Sequence, residues 1–390
     1  MELKFGVISV DDHVQEHPEV WTSRLSKAKF GDRIPQIRRQ PDGTEIWQID
    51  GNPISLRGGA SEGVAAVGGA MADPTKEPQT WDQVPKETYI PSERLLAMDQ
   101  DGIDASVLFP NVAGLAGEAF GRITDPELEL ACIQAYNDFI TEEWGGASER
   151  LIPLAMVPLS PIETTLNEIN RAVKKGARGI AFPAVPWHLR DLPHINEPNW
   201  DPLWSLLEDL QIPLNLHAGS SERLELPPAP GLSTELTYAM RNITRPIGSG
   251  SLVPNFLMSG ILERHPKLQV IFAESTLTWG IYQLEFIDHG TERQRKNLEG
   301  HPVMASELFR RQCYFTCWYD QMGLKARHFP GVEHILWGTS YPLTTSTWPN
   351  SKTYIQRAMV DIPSDEQNKM LWGNALRLYR VVTSSMPKRQ

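Results

Sequence analysis

Residues 7–21 read VISVDDHVQEHPEVW. The stretch opens like a buried strand and then breaks into Asp11, Asp12, His13 and Glu16. Burying one unpaired charge costs several kcal/mol, so ionisable groups gathered at a strand end require partners, a metal ion or open solvent. Strand periodicity puts Asp11 and His13 on one face and turns Asp12 to the other, toward the helical layer or a turn.

Outward from this stretch the pattern repeats. Apolar runs recur at "ASVLFP" (105–110), "LIPLAMVP" (151–158), "RGIAFPA" (178–184), "IPLNLHAG" (212–219), "LQVIFAES" (268–275), "CYFTCWY" (313–319) and "HILWGTSYP" (334–342). Most are separated by amphipathic segments such as "DPELELACIQAYNDFITEEWGG" (125–146), with its acidic first turn and glycine stop. Continuous rather than alternating apolarity fits parallel strands covered on both faces. With the opening run there are eight such units, which predicts an α/β protein built as a (β/α)8 TIM barrel. No glycine-rich dinucleotide or P-loop fingerprint follows any strand, which weakens an open doubly wound sheet.

A length of 390 residues suits one such barrel domain spanning 1–390, and 41% apolar residues with 12 tryptophans can fill its core. The formal charge of −11 argues against nucleic acid or an anionic membrane as partner. No apolar stretch is long enough to span a bilayer and no signal-peptide pattern opens the chain, so a cytoplasmic location is expected. Cys132, Cys313 and Cys317 are too scattered for a disulfide framework. Cys313 and Cys317 sit in a strand-like run, where residues four apart lie about 13 Å apart, too far to share a metal.

Residues 22–91 interrupt the rhythm as a long insertion after the first strand. "TEIWQIDGNPISL" (44–56) reads as a hairpin turning at Asp50–Gly51. The Gly/Ala-rich "RGGASEGVAAVGGAMADPTKEP" (57–78) has no periodicity. A loop leaving a barrel strand emerges at the catalytic end, so residues 57–88 are a candidate lid or pocket wall.

His217, Glu274 and Ser340 end the fifth, sixth and eighth runs. A carboxylate and two imidazoles converging as Asp11, His13 and His217 make a site for Zn²⁺, with Mn²⁺ or Fe²⁺ as alternatives. Glu16 is a further candidate ligand. Arg223, Trp187, His188 and Tyr341 follow strand ends and are candidate substrate contacts. His194 reads as peripheral.

The chain resembles the amidohydrolase superfamily, in the branch that holds aminocarboxymuconate-semialdehyde decarboxylase and dihydroxybenzoate decarboxylase. The resemblance rests on "VDDHVQEHPEVW", "RLIPLAMVPL", "GARGIAFPA", "WDPLWSLLEDLQIPLNLHAGSS", "SGILERHPKLQVIFAES…TW", "ILWGTSYP" and "LWGNALRLY". It implies a barrel with one divalent metal on Asp11, His13 and His217, and a homodimer. Relatives complete the metal site with an aspartate in a Gly-(Ser/Thr)-Asp-Tyr-Pro pattern, where this chain reads Gly338-Thr339-Ser340-Tyr341-Pro342. A neutral hydroxyl is a poor ligand and no base near pH 7. Glu16 or Glu274 could supply the missing carboxylate, and Ser340→Asp is expected to tighten metal binding.

The leading expectation is a metal-dependent hydrolase of a small carboxylate- or acyl-bearing molecule, with Glu274, Ser340 and His217 as its catalytic residues. The alternatives are a decarboxylase of the same family, or a metal-free pseudo-enzyme or binding protein.

Overall fold

A computed structural model describes residues 6–54, 63–73, 76–221, 231–233, 236, 239–240, 243–244, 246–247, 250–294 and 303–382. The eight apolar runs form eight strands: β1 (Ile8–His13), β2 (Ala105–Phe109), β3 (Leu151–Ala155), β4 (Gly179–Phe182), β5 (Leu214–His217), β6 (Val270–Ala273), β7 (Cys313–Cys317) and β8 (Ile335–Trp337). Every residue of all eight is buried, as strands covered on both faces must be. They pair in chain order, and each pair is parallel.

The barrel closes where β8 runs out beside β1. Ser340 N–H donates to Asp11 O at 2.7 Å and His13 N–H donates to Tyr341 O at 2.7 Å. The fold is the expected (β/α)8 barrel. Its lumen is filled by Ile8, Val10, Val107, Phe109, Ile152, Leu154, Ile271 and Leu336, and a larger apolar layer lies between strands and helices. The far end is plugged by the final helical turn, whose Tyr379 hydroxyl donates to Asn215 Oδ1 at 2.5 Å.

Helices α1 (Pro91–Asp101) and α2 (Pro126–Asp138) begin as their sequences dictate. Pro91 occupies the first turn of α1, and Gly102 closes it at φ 80°. The Asp125 carboxylate caps α2 by accepting from Glu127 N at 3.0 Å. All three cysteines are buried and reduced, and burial pushes the Cys313 thiol up, which leaves it unreactive.

Within the insertion the hairpin forms as read: Ile49 pairs with Asn52 across Asp50 (φ 51°) and Gly51 (φ 78°). A third antiparallel strand, Gln36–Arg39, joins it. The described part of the Gly/Ala-rich stretch is packed. Val64, Ala65, Ala66 and Val67 are buried, and Trp47 Nε1 donates to Val64 O at 2.8 Å. Asn111 Nδ2 reaches Ala66 O at 3.2 Å and Gly69 N–H donates to Pro342 O at 2.9 Å, so these residues wall the ends of β2 and β8.

The seam tolerates no extra atom. A Cβ on Gly338 would stand 2.8 Å from Asp11 Cβ. Gly338→Ala should therefore destabilise the protein by about 1–3 kcal/mol in chemical denaturation, the usual cost of overpacking a fixed contact. A change below about 0.5 kcal/mol would mean that the seam yields.

Candidate metal centre

The two faces of β1 divide the charges as the pleat requires. Asp12 points out of the lumen and is clamped by hydroxyls: Ser9 Oγ at 2.8 Å, Thr339 Oγ1 at 2.5 Å and Ser106 Oγ, with Tyr341 N–H at 3.3 Å. Its role is to bind β1 to β2 and β8, rather than to meet the helices. The register slips between Ser9 and Asp12, which frees the end of β1 to aim inward.

Asp11, His13 and His217 meet in the lumen, fully buried, with one ligand atom from each lying within 4.8 Å of the others. His13 Nδ1 lies 2.8 Å from Pro110 O and His217 Nδ1 lies 2.8 Å from Ala218 O. Both carbonyls can only accept, so each Nδ1 carries the proton and each Nε2 presents a lone pair. The two Nε2 atoms are 3.2 Å apart, and Asp11 Oδ1 is 3.2 Å from His217 Nε2 and 3.7 Å from His13 Nε2. Neither oxygen of Asp11 receives a hydrogen bond from a group that holds a proton in these tautomers. Three electron-rich atoms thus face one another across the lumen.

The electrostatics point the same way. Burial raises the Asp11 pKa even against the pull of His217. Burial alone would lower that of His217, but the Asp11 carboxylate, with Glu274 beyond it, outweighs this and raises it. A proton or a cation belongs in this space, and one carboxylate plus two imidazole nitrogens is a donor set that fits a divalent transition metal. The carbonyls behind the imidazoles fix their tautomers and aim, as metal-binding histidines require.

Glu274, one residue beyond β6, adopts φ 52°, and Ser340 adopts φ 57°. These backbones turn the two side chains toward each other. Ser340 Oγ donates to Glu274 Oε1 at 2.7 Å, Thr345 Oγ1 donates to the same oxygen at 3.1 Å, and the two hydroxyls are 3.1 Å apart. The hydroxyl of Ser340 is thus directed at Glu274. An aspartate at 340 would set a second carboxylate against Glu274, and the pair would share a proton. Tighter metal binding by Ser340→Asp is accordingly no longer the expected result.

The family model described as amidohydrolase matches residues 64–381. The chain belongs to the amidohydrolase family. Its match includes His217, Glu274 and Ser340 and starts beyond β1, so Asp11 and His13 rest on geometry. A curated relative, the gamma-resorcylate decarboxylase of Polaromonas sp. (strain JS666 / ATCC BAA-500), is 23% identical over 304 residues, 75% of this chain and 88% of that protein. Among solved structures, an amidohydrolase from Mycobacterium avium subsp. paratuberculosis K-10 matches with TM-score 0.77 at 19% identity, over 97% of this chain and 100% of that one. A 5-carboxyvanillate decarboxylase from Novosphingobium aromaticivorans DSM 12444, complexed with manganese and 4-hydroxy-3-methoxy-5-nitrobenzoic acid, matches with TM-score 0.68 at 14% identity, over 97% of each chain.

The other residues singled out in the sequence lie elsewhere. Glu16 stays out of the cluster: its carboxylate accepts from Val112 N at 2.8 Å and Asn111 N at 3.2 Å, pinning the loop after β2. Burial outweighs these bonds and pushes its pKa up to about 7. Tyr341 does not face the mouth, because its ring packs on Trp348 and the Arg94 guanidinium. Trp187 is half-buried and packs against His194, with ring centroids 3.8 Å apart and planes tilted by 35°, so His194 is less peripheral than it reads. His188 is exposed, its Nδ1 3.3 Å from Ser221 O. Arg223 lies outside the described residues. Sequence reasoning missed Thr345, Thr339 and Asn111. Polar residues just beyond strand ends were the available signal for the last two; for Thr345 there was none. No helix among the described residues is long and apolar enough to cross a membrane.

A buried carboxylate with no hydrogen-bond donor is expected to cost the metal-free fold stability. Metal-free Asp11→Asn should be as stable as metal-free wild type or more so, by up to about 2 kcal/mol, since an amide can donate to His217 Nε2. The rise in melting temperature that Mn²⁺ or Zn²⁺ gives the wild type should shrink in the variant. A loss of more than about 3 kcal/mol in the metal-free variant would make Asp11 a structural residue instead.

Proposed function

We propose that the protein is a metal-dependent decarboxylase of a small aromatic carboxylic acid. The observation that carries this reading is the convergence of buried Asp11, His13 and His217, with Asp11 Oδ1 3.2 Å from His217 Nε2 and 3.7 Å from His13 Nε2. That convergence supports a site built to hold a cation, and so favours an enzyme over a barrel that has lost its chemistry. Manganese is the first candidate, because the carboxyvanillate decarboxylase of the same fold is complexed with it; zinc, the first expectation from sequence, is the alternative.

Two things favour decarboxylation over the hydrolysis that the sequence put first. Gamma-resorcylate decarboxylase and carboxyvanillate decarboxylase are both similar to this chain. Hydrolysis also asks for a base beside the attacking water at the end of β8, where Ser340 offers a hydroxyl directed at Glu274.

Decarboxylation breaks the bond between the ring carbon and the carboxylate, releases CO₂ and puts a proton on that carbon. A bound divalent ion would supply Lewis acidity toward the substrate oxygens. Asp11, His13 and His217 would hold it. Glu274 is the group placed to carry the proton. Ser340 and Thr345 fix its Oε1, and the Thr316 hydroxyl receives its position through the backbone, accepting from Glu274 N at 2.9 Å. The Phe109 ring lies edge-on to His217, with centroids 5.2 Å apart, and gives the cavity a dry wall that strengthens these charges.

Protein reconstituted with Mn²⁺ or Zn²⁺ and incubated with 2,6-dihydroxybenzoate or 5-carboxyvanillate should release CO₂, while simple aryl esters should be left intact. Glu274→Gln should lower kcat by roughly 10²–10⁴ while keeping bound metal, as expected for loss of a general acid. Ester cleavage without CO₂ from any aromatic acid would restore the hydrolase reading. Failure to retain any divalent metal would remove both.

A further inference from the structure

Behind β1 the chain buries a guanidinium. Arg94, in the first turn of α1, has no exposed surface, and no described carboxylate lies within ion-pair distance of it. Desolvation lowers its pKa. A buried cation without a direct counter-ion is unfavourable, so its contacts must repay it in position. They are specific. Nη2 donates to His13 O at 2.7 Å and Nε donates to Glu87 O at 2.9 Å. The guanidinium carbon stands 4.5 Å from the centre of the Tyr341 ring and 5.4 Å from that of Trp144.

Two of these contacts belong to the barrel seam. His13 supplies an imidazole to the cluster, and its N–H donates to the carbonyl of Tyr341. One planar group therefore grips the His13 carbonyl and covers the ring of the residue that its amide binds. Asp12, between the ligands Asp11 and His13, holds the same Tyr341 through its N–H at 3.3 Å. With Nδ1 bound to Pro110 O, His13 is fixed through its N–H, its carbonyl and its ring. Only Nε2 is directed into the cluster.

We propose that Arg94 is a positioning residue for the metal centre, setting the aim of the His13 imidazole by holding the His13 carbonyl and the Tyr341 ring together behind the β1–β8 seam. The proposal rests on the metal-binding reading above. A lysine keeps the charge but cannot donate two bonds in a fixed plane while lying on a ring, so charge and geometry are separable.

Wild type, Arg94→Met, Arg94→Lys and Tyr341→Leu would each be titrated with Mn²⁺ and Zn²⁺ against a chelator, with thermal melting and amide exchange measured on the metal-free proteins. Arg94→Met should bind metal at least about tenfold more weakly, in the range known for residues that orient metal ligands. Amides of His13 and Ser340 should exchange faster, while those of β3 and β4 should not. Arg94→Lys should recover part of the affinity. Should Arg94→Met fail to fold, Tyr341→Leu carries the test with the same expected direction. A folded Arg94→Met or Tyr341→Leu with wild-type metal affinity overturns the proposal. So does a loss of protection that spreads evenly over the barrel. Wild type that binds no metal would instead overturn the functional reading, leaving the exchange at His13 and Ser340 as the separate measure of the Arg94 brace.

Discussion

Two backbone hydrogen bonds, Ser340 N–H to Asp11 O and His13 N–H to Tyr341 O, close the barrel, and the site depends on them. The other strands are tied by ladders along their lengths. This last junction is made by the residues that carry the site. Asp11 and His13 point into the lumen only while β1 is held against the end of β8, and the close pass of Gly338 over Asp11 leaves that junction little freedom. Closure and ligand placement are thus one constraint. A shift that loosened the barrel here would separate the electron-rich atoms of the cluster, and anything bound between them would pull the seam shut.

Charge around this seam is handled in two ways. On the outer side, Asp12 is surrounded by hydroxyls, and Arg94 donates from Nε and Nη2 to carbonyls while its Nη1 has no hydrogen-bond partner, so neither buried charge has a direct ion pair among the described residues. On the inner side, the two Asp11 oxygens have no hydrogen-bond donor among the described residues, and the Nε2 atom of His217 stands 3.2 Å from Asp11 Oδ1. The contrast matters because the two sets are neighbours on one strand. A chain able to satisfy Asp12 so fully can place donors near β1, and the bare Asp11 oxygens are the feature on which the proposed metal site rests.

The period of two was enough to read the barrel, and to send Asp11 and His13 to one face and Asp12 to the other, because pleat alone decides these. It could not reach past the strand ends. Glu16 looks like a fourth ligand in sequence, but three residues of loop carry it onto the backbone of Asn111 and Val112. Ser340 sits where a ligand is expected, yet its left-handed backbone turns the hydroxyl to Glu274, and no spacing rule foretells that turn. Arg94 was the least legible. "SERLL" reads as an exposed first helical turn, and nothing local says that a seam 247 positions along the chain will cover it (Tyr341 against Arg94).

The exchange of a ligand carboxylate for Ser340 has an electrostatic meaning once Glu274 is seen beside it. A divalent ion held by Asp11 and two neutral imidazoles would keep one net positive charge, whereas a second ligand carboxylate would cancel it. The proposed acid, Glu274, is set back and tethered through the hydroxyls of Ser340 and Thr345, so in that reading it would act on a proton without being a ligand of the ion. In the proposed decarboxylation, residual positive charge would favour binding of the anionic substrate, and a tethered carboxyl would supply the proton to the ring carbon that CO₂ leaves behind. Under the proposed function, Ser340 would separate two tasks that one aspartate would otherwise combine: the ion would be held by the cluster, and the proton would be carried by Glu274, whose carboxylate the serine bonds.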